Sequence, residues 1–128
     1  MGTRIGARCL DCDEDYSISE GGGFFFHLLR CDTCGQGRSV GFDELGETHL
    51  RYLKGLNGPY AMVSAEHDRR VQEDYDGEPL AEEDYHREVE RLAGACECGG
   101  SFRFDAPPRC PACRSTRYEP AGGMILYD

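Results

Sequence analysis

The sequence lacks tryptophan and any long hydrophobic run. Its longest apolar stretch, residues 24–29, is far shorter than the roughly 20 residues that a membrane-spanning helix needs. The first residues, Met1–Arg4, are not followed by the apolar segment that a signal peptide requires. We therefore expect a cytoplasmic protein that makes no contact with a membrane.

Hydrophobic side chains are also in short supply, at 39% of 128 residues. A chain of this size and composition is unlikely to be held together by one large hydrophobic core alone. The composition excludes collagen-like and coiled-coil proteins. Some other source of stability, such as bound metal, is therefore expected.

Positive charge is scarce, since 14 lysines and arginines face 24 acidic residues and leave a net charge of −10. Most of this charge lies in residues 64–92, which hold eleven acids and four arginines. Such a chain is repelled by a phosphate backbone unless its basic residues are segregated. Nucleic acid is thus possible as a partner but disfavoured by the net charge.

Cysteine, in contrast, is abundant, and its eight residues form two groups separated by 61 residues without one. Reducing conditions in the cytoplasm disfavour a disulfide framework, so spaced cysteine pairs are interpreted first as metal ligands. The predicted ligands are Cys9, Cys12, Cys31 and Cys34 near the N-terminus, and Cys96, Cys98, Cys110 and Cys113 near the C-terminus.

The cysteine spacing has a geometric reason. Two cysteines three positions apart in a tight turn bring both sulfurs within reach of one ion, and backbone N–H groups in the turn favour the thiolate. Two such turns complete a tetrahedral site, so the sequence predicts two zinc ions. We expect each site to form from neighbouring pairs, because exchange of ligands between the two groups needs long crossings.

The cysteine motifs carry a family resemblance. Cys31-Asp-Thr-Cys34-Gly35 and Cys110-Pro-Ala-Cys113 resemble the knuckles of zinc ribbons of the rubredoxin-like class. The stretch from Cys96 to Pro111 resembles ribbons of small uncharacterised bacterial proteins. The resemblance covers residues 5–41 and 95–119 and implies two β-hairpin ribbons, each around one metal. Asp13 stands where glycine is common, and Cys98 lies one position early.

Residue periodicity predicts the remaining architecture. Short strands are expected at residues 5–8, 16–19 and 24–29, and helices at about 43–56, 64–75 and 81–93. We predict a small α+β protein stabilised by metal, in which two zinc ribbons are joined by short amphipathic helices. Its segments are an N-terminal ribbon at 1–41, an acidic helical linker region at 42–94, and a C-terminal ribbon and tail at 95–128.

This pattern favours a non-enzymatic zinc-binding protein that acts as an adaptor for a protein partner. A catalytic zinc needs an open coordination position, and neither cysteine group is one ligand short. One alternative is a nucleic-acid-binding or transcription-associated ribbon, for which arginines at 103, 109, 114 and 117 alternate with aromatic residues. Another is a rubredoxin-like electron carrier with iron. His27 and His86 are expected to be structural.

Overall fold

The computed structural model describes residues 2–127, so Met1 and Asp128, at the ends of the two predicted ribbons, lie outside the described residues. The chain is a mixed α+β structure with two three-stranded antiparallel sheets and four α-helices. The strands are β1 (Gly2–Cys9), β2 (Asp15–Glu20), β3 (Phe26–Cys31), β4 (Gly37–Gly41), β5 (Phe102–Arg103) and β6 (Tyr118–Tyr127). The helices are α1 (Phe42–Leu45), α2 (Glu47–Lys54), α3 (Ala65–Asp74) and α4 (Glu82–Ala93).

The helices begin and end close to the predicted residues, with one difference. The helix expected over 43–56 is divided into α1 and α2 at Gly46. Gly46 has φ 54° and ψ −124°, a conformation that only glycine adopts without strain, so the helix cannot continue through it. The longest helix, α4, has twelve residues, and none of the helices within residues 2–127 could cross a membrane.

One sheet, which we call the terminal sheet, has the strand order β2-β1-β6. Its central strand pairs with β2 through the turn at Cys9–Cys12 and with β6 from the far end of the chain. The last strand, β6, pairs with β1 along its length, and this pairing is interrupted between Ile5 and Ala7. Gly6 lies at this irregularity, where a Cβ atom would stand 2.0 Å from the carbonyl oxygen of Ala121.

The second sheet, which we call the helix-backed sheet, has the order β4-β3-β5 and packs against the helices. Side chains of β3 alternate, so His27, Leu29 and Cys31 are buried while the intervening residues are half-buried. The buried side packs with Tyr85 and Val89 of α4 to form the hydrophobic core. Phe25, by contrast, lies in the preceding loop and is 62% exposed.

A polar network lies within this core. The Tyr85 hydroxyl contacts His27 Nε2 at 2.7 Å and His49 Nδ1 at 2.8 Å, so all three buried polar groups have partners. Burial lowers the pKa of both histidines to about 4. The two imidazoles are therefore neutral at physiological pH, and His27 is a structural residue, as the sequence predicted.

Both sheets draw strands from the two ends of the chain. β1 of the terminal sheet pairs with β6, and β3 of the helix-backed sheet pairs with β5. The helices lie between residues 42 and 93, where the sequence predicted a helical region. This connection of distant strands decides which cysteines meet.

Candidate metal centres

Each cysteine pair lies in a turn that directs backbone N–H groups at sulfur. After β1, the N–H of Asp11 donates to Cys9 Sγ at 3.4 Å, and the N–H of Asp13 donates to the carbonyl oxygen of Cys9 at 3.0 Å. After β3, the N–H groups of Thr33 and Cys34 donate to Cys31 Sγ at 3.4 Å. These hydrogen bonds stabilise thiolates, as the spacing predicted.

The residue after the second cysteine closes each turn in a left-handed conformation. It is Gly35 at φ 80° and Gly99 at φ 97° in two turns, but Asp13 at φ 63° and Arg114 at φ 65° in the other two. This geometry explains why glycine is common there, since glycine has no Cβ to clash. Asp13 and Arg114 adopt the same backbone conformation at some energetic cost.

The eight cysteines assemble into two groups of four, each with all four sulfurs within 4.8 Å of one another. The groups differ from the expected pairing, because each takes one pair from each end of the chain. We call them quartet 1 and quartet 2. Quartet 1 contains Cys9, Cys12, Cys110 and Cys113, and quartet 2 contains Cys31, Cys34, Cys96 and Cys98.

The prediction of local pairing was therefore wrong, and strand pairing is the reason. Leu10 donates its backbone N–H to the carbonyl oxygen of Arg117 at 3.0 Å, which continues the β1–β6 ladder into the first turn. Cys31 lies opposite Phe102 on β5, and Asp32 donates to the carbonyl oxygen of Ser101 at 2.9 Å. Strand pairing within the two sheets thus brings together cysteine pairs that are far apart in the sequence.

The spacing between sulfurs fits a tetrahedral metal site. The Sγ atoms of Cys9 and Cys113 lie 3.5 Å apart, and those of Cys34 and Cys96 lie 3.6 Å apart. Four ligands about 2.3 Å from a zinc ion have sulfurs about 3.8 Å apart, whereas a disulfide requires about 2.05 Å. The donors and their spacing therefore suit one metal ion in each quartet, and all eight cysteines are free thiols.

The thiols of a quartet differ in acidity. Burial opposes ionisation of Cys31, but the N–H groups of Cys34 and Thr33 outweigh it and lower its pKa to about 6. Cys9 follows the same pattern, with a pKa of about 7. At Cys96 a backbone hydrogen bond from Cys98 favours the thiolate, yet burial and neighbouring sulfurs raise the pKa to about 12. One thiol in each quartet thus ionises readily, and a cation is needed to hold four thiolates together.

Sequence reasoning missed the aspartates inside the turns, which tie opposite turns together. Asp32 accepts from the N–H of Ser101 at 3.0 Å, and this hydrogen bond is the main reason that its pKa is lowered. Asp11 forms an ion pair with Arg117 at 2.7 Å and accepts from the Ser115 hydroxyl. The only available signal was an acidic residue between the two cysteines of both N-terminal turns.

Gly100 lies where the two turns of quartet 2 meet. A Cβ atom on Gly100 would stand 2.6 Å from Cys31 Sγ and 2.7 Å from the Thr33 hydroxyl oxygen. Glycine at this position therefore allows one turn of quartet 2 to approach the other.

Three of the four arginines considered for nucleic-acid binding contact the protein itself. Arg103 lies 3.7 Å from a carboxylate oxygen of Asp32, and Arg117 is paired with Asp11. Arg109 donates to the carbonyl oxygens of Asp32 and Arg114. Phe102 is buried in the core. Three of the four arginines thus have partners within the protein, and one of the three aromatic rings is unavailable for stacking on a base.

Neither a curated protein nor a solved structure matches the chain. A family model described as a domain of unknown function, DUF8255, matches residues 5–119. The match includes both quartets, the four helices and the helix-backed sheet, but it ends at Glu119 and so leaves out most of β6. The chain belongs to this family, DUF8255.

Proposed function

We propose that the protein binds two structural zinc ions in ribbon-like sites, one in each quartet, and acts as a non-enzymatic adaptor for a protein partner. The observation that carries the proposal is the sulfur geometry: in each quartet two pairs of sulfurs lie 3.5–3.6 Å apart, and all four sulfurs lie within 4.8 Å of one another. Four protein ligands fill a tetrahedral ion completely. Neither site then offers a position for a substrate or for an activated water.

Zinc bound in this way supplies free energy of folding rather than chemistry. Quartet 1 joins the loops that end β1 and precede β6, and quartet 2 joins β3 to the segment before β5. Structural zinc contributes about 10–16 kcal/mol of apparent binding free energy in isolated finger peptides. Such a contribution compensates for the small hydrophobic core.

The proposed adaptor role rests on apolar side chains outside the core. Met62 and Val63, in a 3-10 turn between α2 and α3, are 88% and 59% exposed. They precede α3, whose ten residues include four acids and two arginines, so these apolar side chains adjoin charged ones, the arrangement typical of protein contact sites.

Metal analysis and partner capture test the two parts of the proposal. Protein purified without added metal should contain two zinc ions per chain by elemental analysis. A Met62→Ser/Val63→Ser variant should keep both ions and its melting temperature, because neither side chain is packed, but should lose the partner that the wild-type chain captures. A matched variant at another exposed apolar residue, Leu92→Ser, should retain that partner. Loss of capture in both variants, or in neither, would contradict the assignment of this surface.

An iron-containing electron carrier is the second candidate, because four thiolates bind iron as well as zinc. The observation that favours it is the exposure of Cys12, Cys98 and Cys113, which places both sites at the surface. Protein isolated with iron would be red, with strong thiolate-to-iron absorption in the visible range. Colourless protein with two zinc ions per chain supports the structural role instead.

A further inference from the structure

A cleft of about 620 Å³ separates the two sheets. One wall is the edge strand β2 of the terminal sheet, and the other is the side of β3 and β4 that faces away from the helices. Phe26 and Leu28 lie on this second wall and are half-buried. A volume of this size is typical of sites that take small molecules.

The charge of the cleft is opposite to that of the protein. Arg4, Arg30 and Arg109 line it, and Glu20, the one acidic residue among its lining residues, forms an ion pair with Arg30 at 3.2 Å. The lining therefore keeps a net positive charge. The chain as a whole carries a net charge of −10. A concave positive site on a negative molecule concentrates anions locally, because its walls focus the field.

Internal contacts hold these arginines in place. Arg30 donates from Nη1 to the carbonyl oxygen of Ala106 at 2.9 Å and from Nη2 to that of Ser19 at 2.6 Å, so it spans the gap between the sheets. Arg4 donates from Nε to the Ser19 hydroxyl at 3.1 Å. Within residues 2–127 this is the only side-chain hydrogen bond of Arg4, which leaves its terminal nitrogens available to a ligand.

Flat apolar side chains complete the lining. Phe26, Phe104 and Tyr127 contribute rings, and Tyr127 is fixed by donating its hydroxyl to the carbonyl oxygens of Glu20 and Gly21. Aromatic walls with a few fixed cationic groups recognise a planar body that carries an anionic group.

We propose that this cleft binds a small organic anion with a flat apolar ring system and one carboxylate, sulfonate or phosphate group. The net charge of the protein argues against larger polyanions, since nucleic acid or an acidic peptide would extend beyond the cleft over a negative surface. None of the eight cysteines lines the cleft, although its lining residues Gly35 and Arg109 adjoin Cys34 and Cys110. The proposal does not rest on the adaptor function.

Two fluorescent probes with the same ring system test the chemistry. 1-Anilinonaphthalene-8-sulfonate carries one negative charge, and N-phenyl-1-naphthylamine lacks it. The full-length protein, as isolated with its metal, should bind the sulfonate with a one-to-one stoichiometry and at least tenfold more tightly than the amine, as expected for charge-assisted hydrogen bonds. Amide chemical-shift changes should be confined to β2, β3 and β4 and to the neighbourhoods of the other lining residues, Arg4, Phe104, Arg109 and Tyr127.

Matched variants locate the site. Arg4→Gln should weaken sulfonate binding by about fivefold, because it removes a partly solvated charge-assisted contact, and should leave amine binding unchanged. Arg87→Gln removes the same charge from an exposed position on α4, outside the cleft, and should have no effect. Ser39→Trp, at an exposed lining position of β4, should reduce binding of both probes by filling the cleft.

Equal affinity for the two probes would overturn the proposal, since it would indicate only exposed apolar surface. Equal effects of Arg4→Gln and Arg87→Gln would overturn it as well, because they would show attraction by overall charge. Shifts centred on Met62 and Val63 would place the bound probe elsewhere.

Discussion

The exchange of cysteine pairs between the two ends of the chain predicts how zinc is lost from double variants. Cys31 and Cys98 belong to one quartet, with sulfurs 3.5 Å apart, whereas Cys9 belongs to the other. Cys31→Ser alone should leave one zinc ion per chain. Adding Cys98→Ser should still leave one, since the site is already lost. Adding Cys9→Ser to Cys31→Ser should leave none.

The free energy of unfolding should follow the same pattern. Quartet 1 joins residues 98 positions apart, and quartet 2 joins residues 62 positions apart. A cross-link that closes a loop of about 100 residues stabilises a protein by about 4.7 kcal/mol in the chain-entropy model. Each quartet lost should therefore cost several kcal/mol. The Cys31→Ser/Cys98→Ser pair should be strongly non-additive, and the Cys31→Ser/Cys9→Ser pair should be additive to within about 1 kcal/mol.

Native mass spectrometry counts the ions per chain, and urea denaturation gives the stability of the same samples. Refolding each variant with added zinc shows whether its lower zinc content comes from weaker binding or from a failure to fold. Thr33→Ser is the matched control, because Thr33 lies inside a cysteine turn but does not supply a metal ligand. The reasoning would be refuted if Cys31→Ser/Cys9→Ser kept one ion while Cys31→Ser/Cys98→Ser kept none. That result would mean that the quartets form from neighbouring pairs.

Three further predictions concern residues around the sites and the core. Gly99→Ala should destabilise the protein by about 1–2 kcal/mol, because residue 99 has a left-handed backbone conformation. Gly35→Ala should destabilise it more, because the new Cβ would also lie 2.8 Å from a neighbouring atom. Melting temperatures of the two variants test this order. Asp68→Ala should lower the free energy of unfolding by about 1–3 kcal/mol in urea titrations, because the buried carboxylate accepts hydrogen bonds from a backbone N–H and a serine hydroxyl. Burial lowers the pKa of His27 and His49 to about 4, so both side chains stay neutral in the folded protein above that pH. In the unfolded chain the same two histidines take up protons once the pH falls below the ordinary histidine pKa of about 6.5. The free energy of unfolding should therefore fall as pH decreases from about 6.5 toward 4, by at most about 1.4 kcal/mol per pH unit for each histidine, and His49→Gln should reduce that slope by about half.

Local features of the fold could be predicted from the sequence because they depend on neighbouring residues. The helices at Ala65–Asp74 and Glu82–Ala93 follow from their 3.6-residue periodicity, and Gly94 ends the second with φ 77°. The turns around the cysteines follow from their spacing. In each case the cause lies within a few residues, where hydrogen bonding and side-chain periodicity act directly.

The pairing of the quartets could not be predicted in the same way, because it depends on strands far apart in the chain. Nothing near Cys9 indicates that β1 pairs with Tyr118–Tyr127 rather than only with its hairpin neighbour. Likewise, β5 has two residues, too few for a recognisable strand pattern, yet it places Cys31 beside the Cys96–Cys98 turn. The prediction assumed that cysteine pairs close in sequence share a metal, as they do in an isolated ribbon. It therefore assigned the wrong cysteine pairs to each site.

Nested connectivity also couples the two sites to each other. Without quartet 2, the chain between Cys12 and Cys110 is 98 residues long. With quartet 2 formed, the shortest path between them runs through segments 12–31 and 98–110, which together have about 31 residues and leave out the helical region. Loop closure at quartet 1 then costs about 1 kcal/mol less, which corresponds to about fivefold tighter zinc binding. Because a coupling free energy is reciprocal, loss of quartet 1 should weaken quartet 2 by the same factor. Zinc titrations of Cys31→Ser and Cys9→Ser against a chromophoric chelator measure both effects, and a common factor far from five would show that loop closure does not account for the coupling.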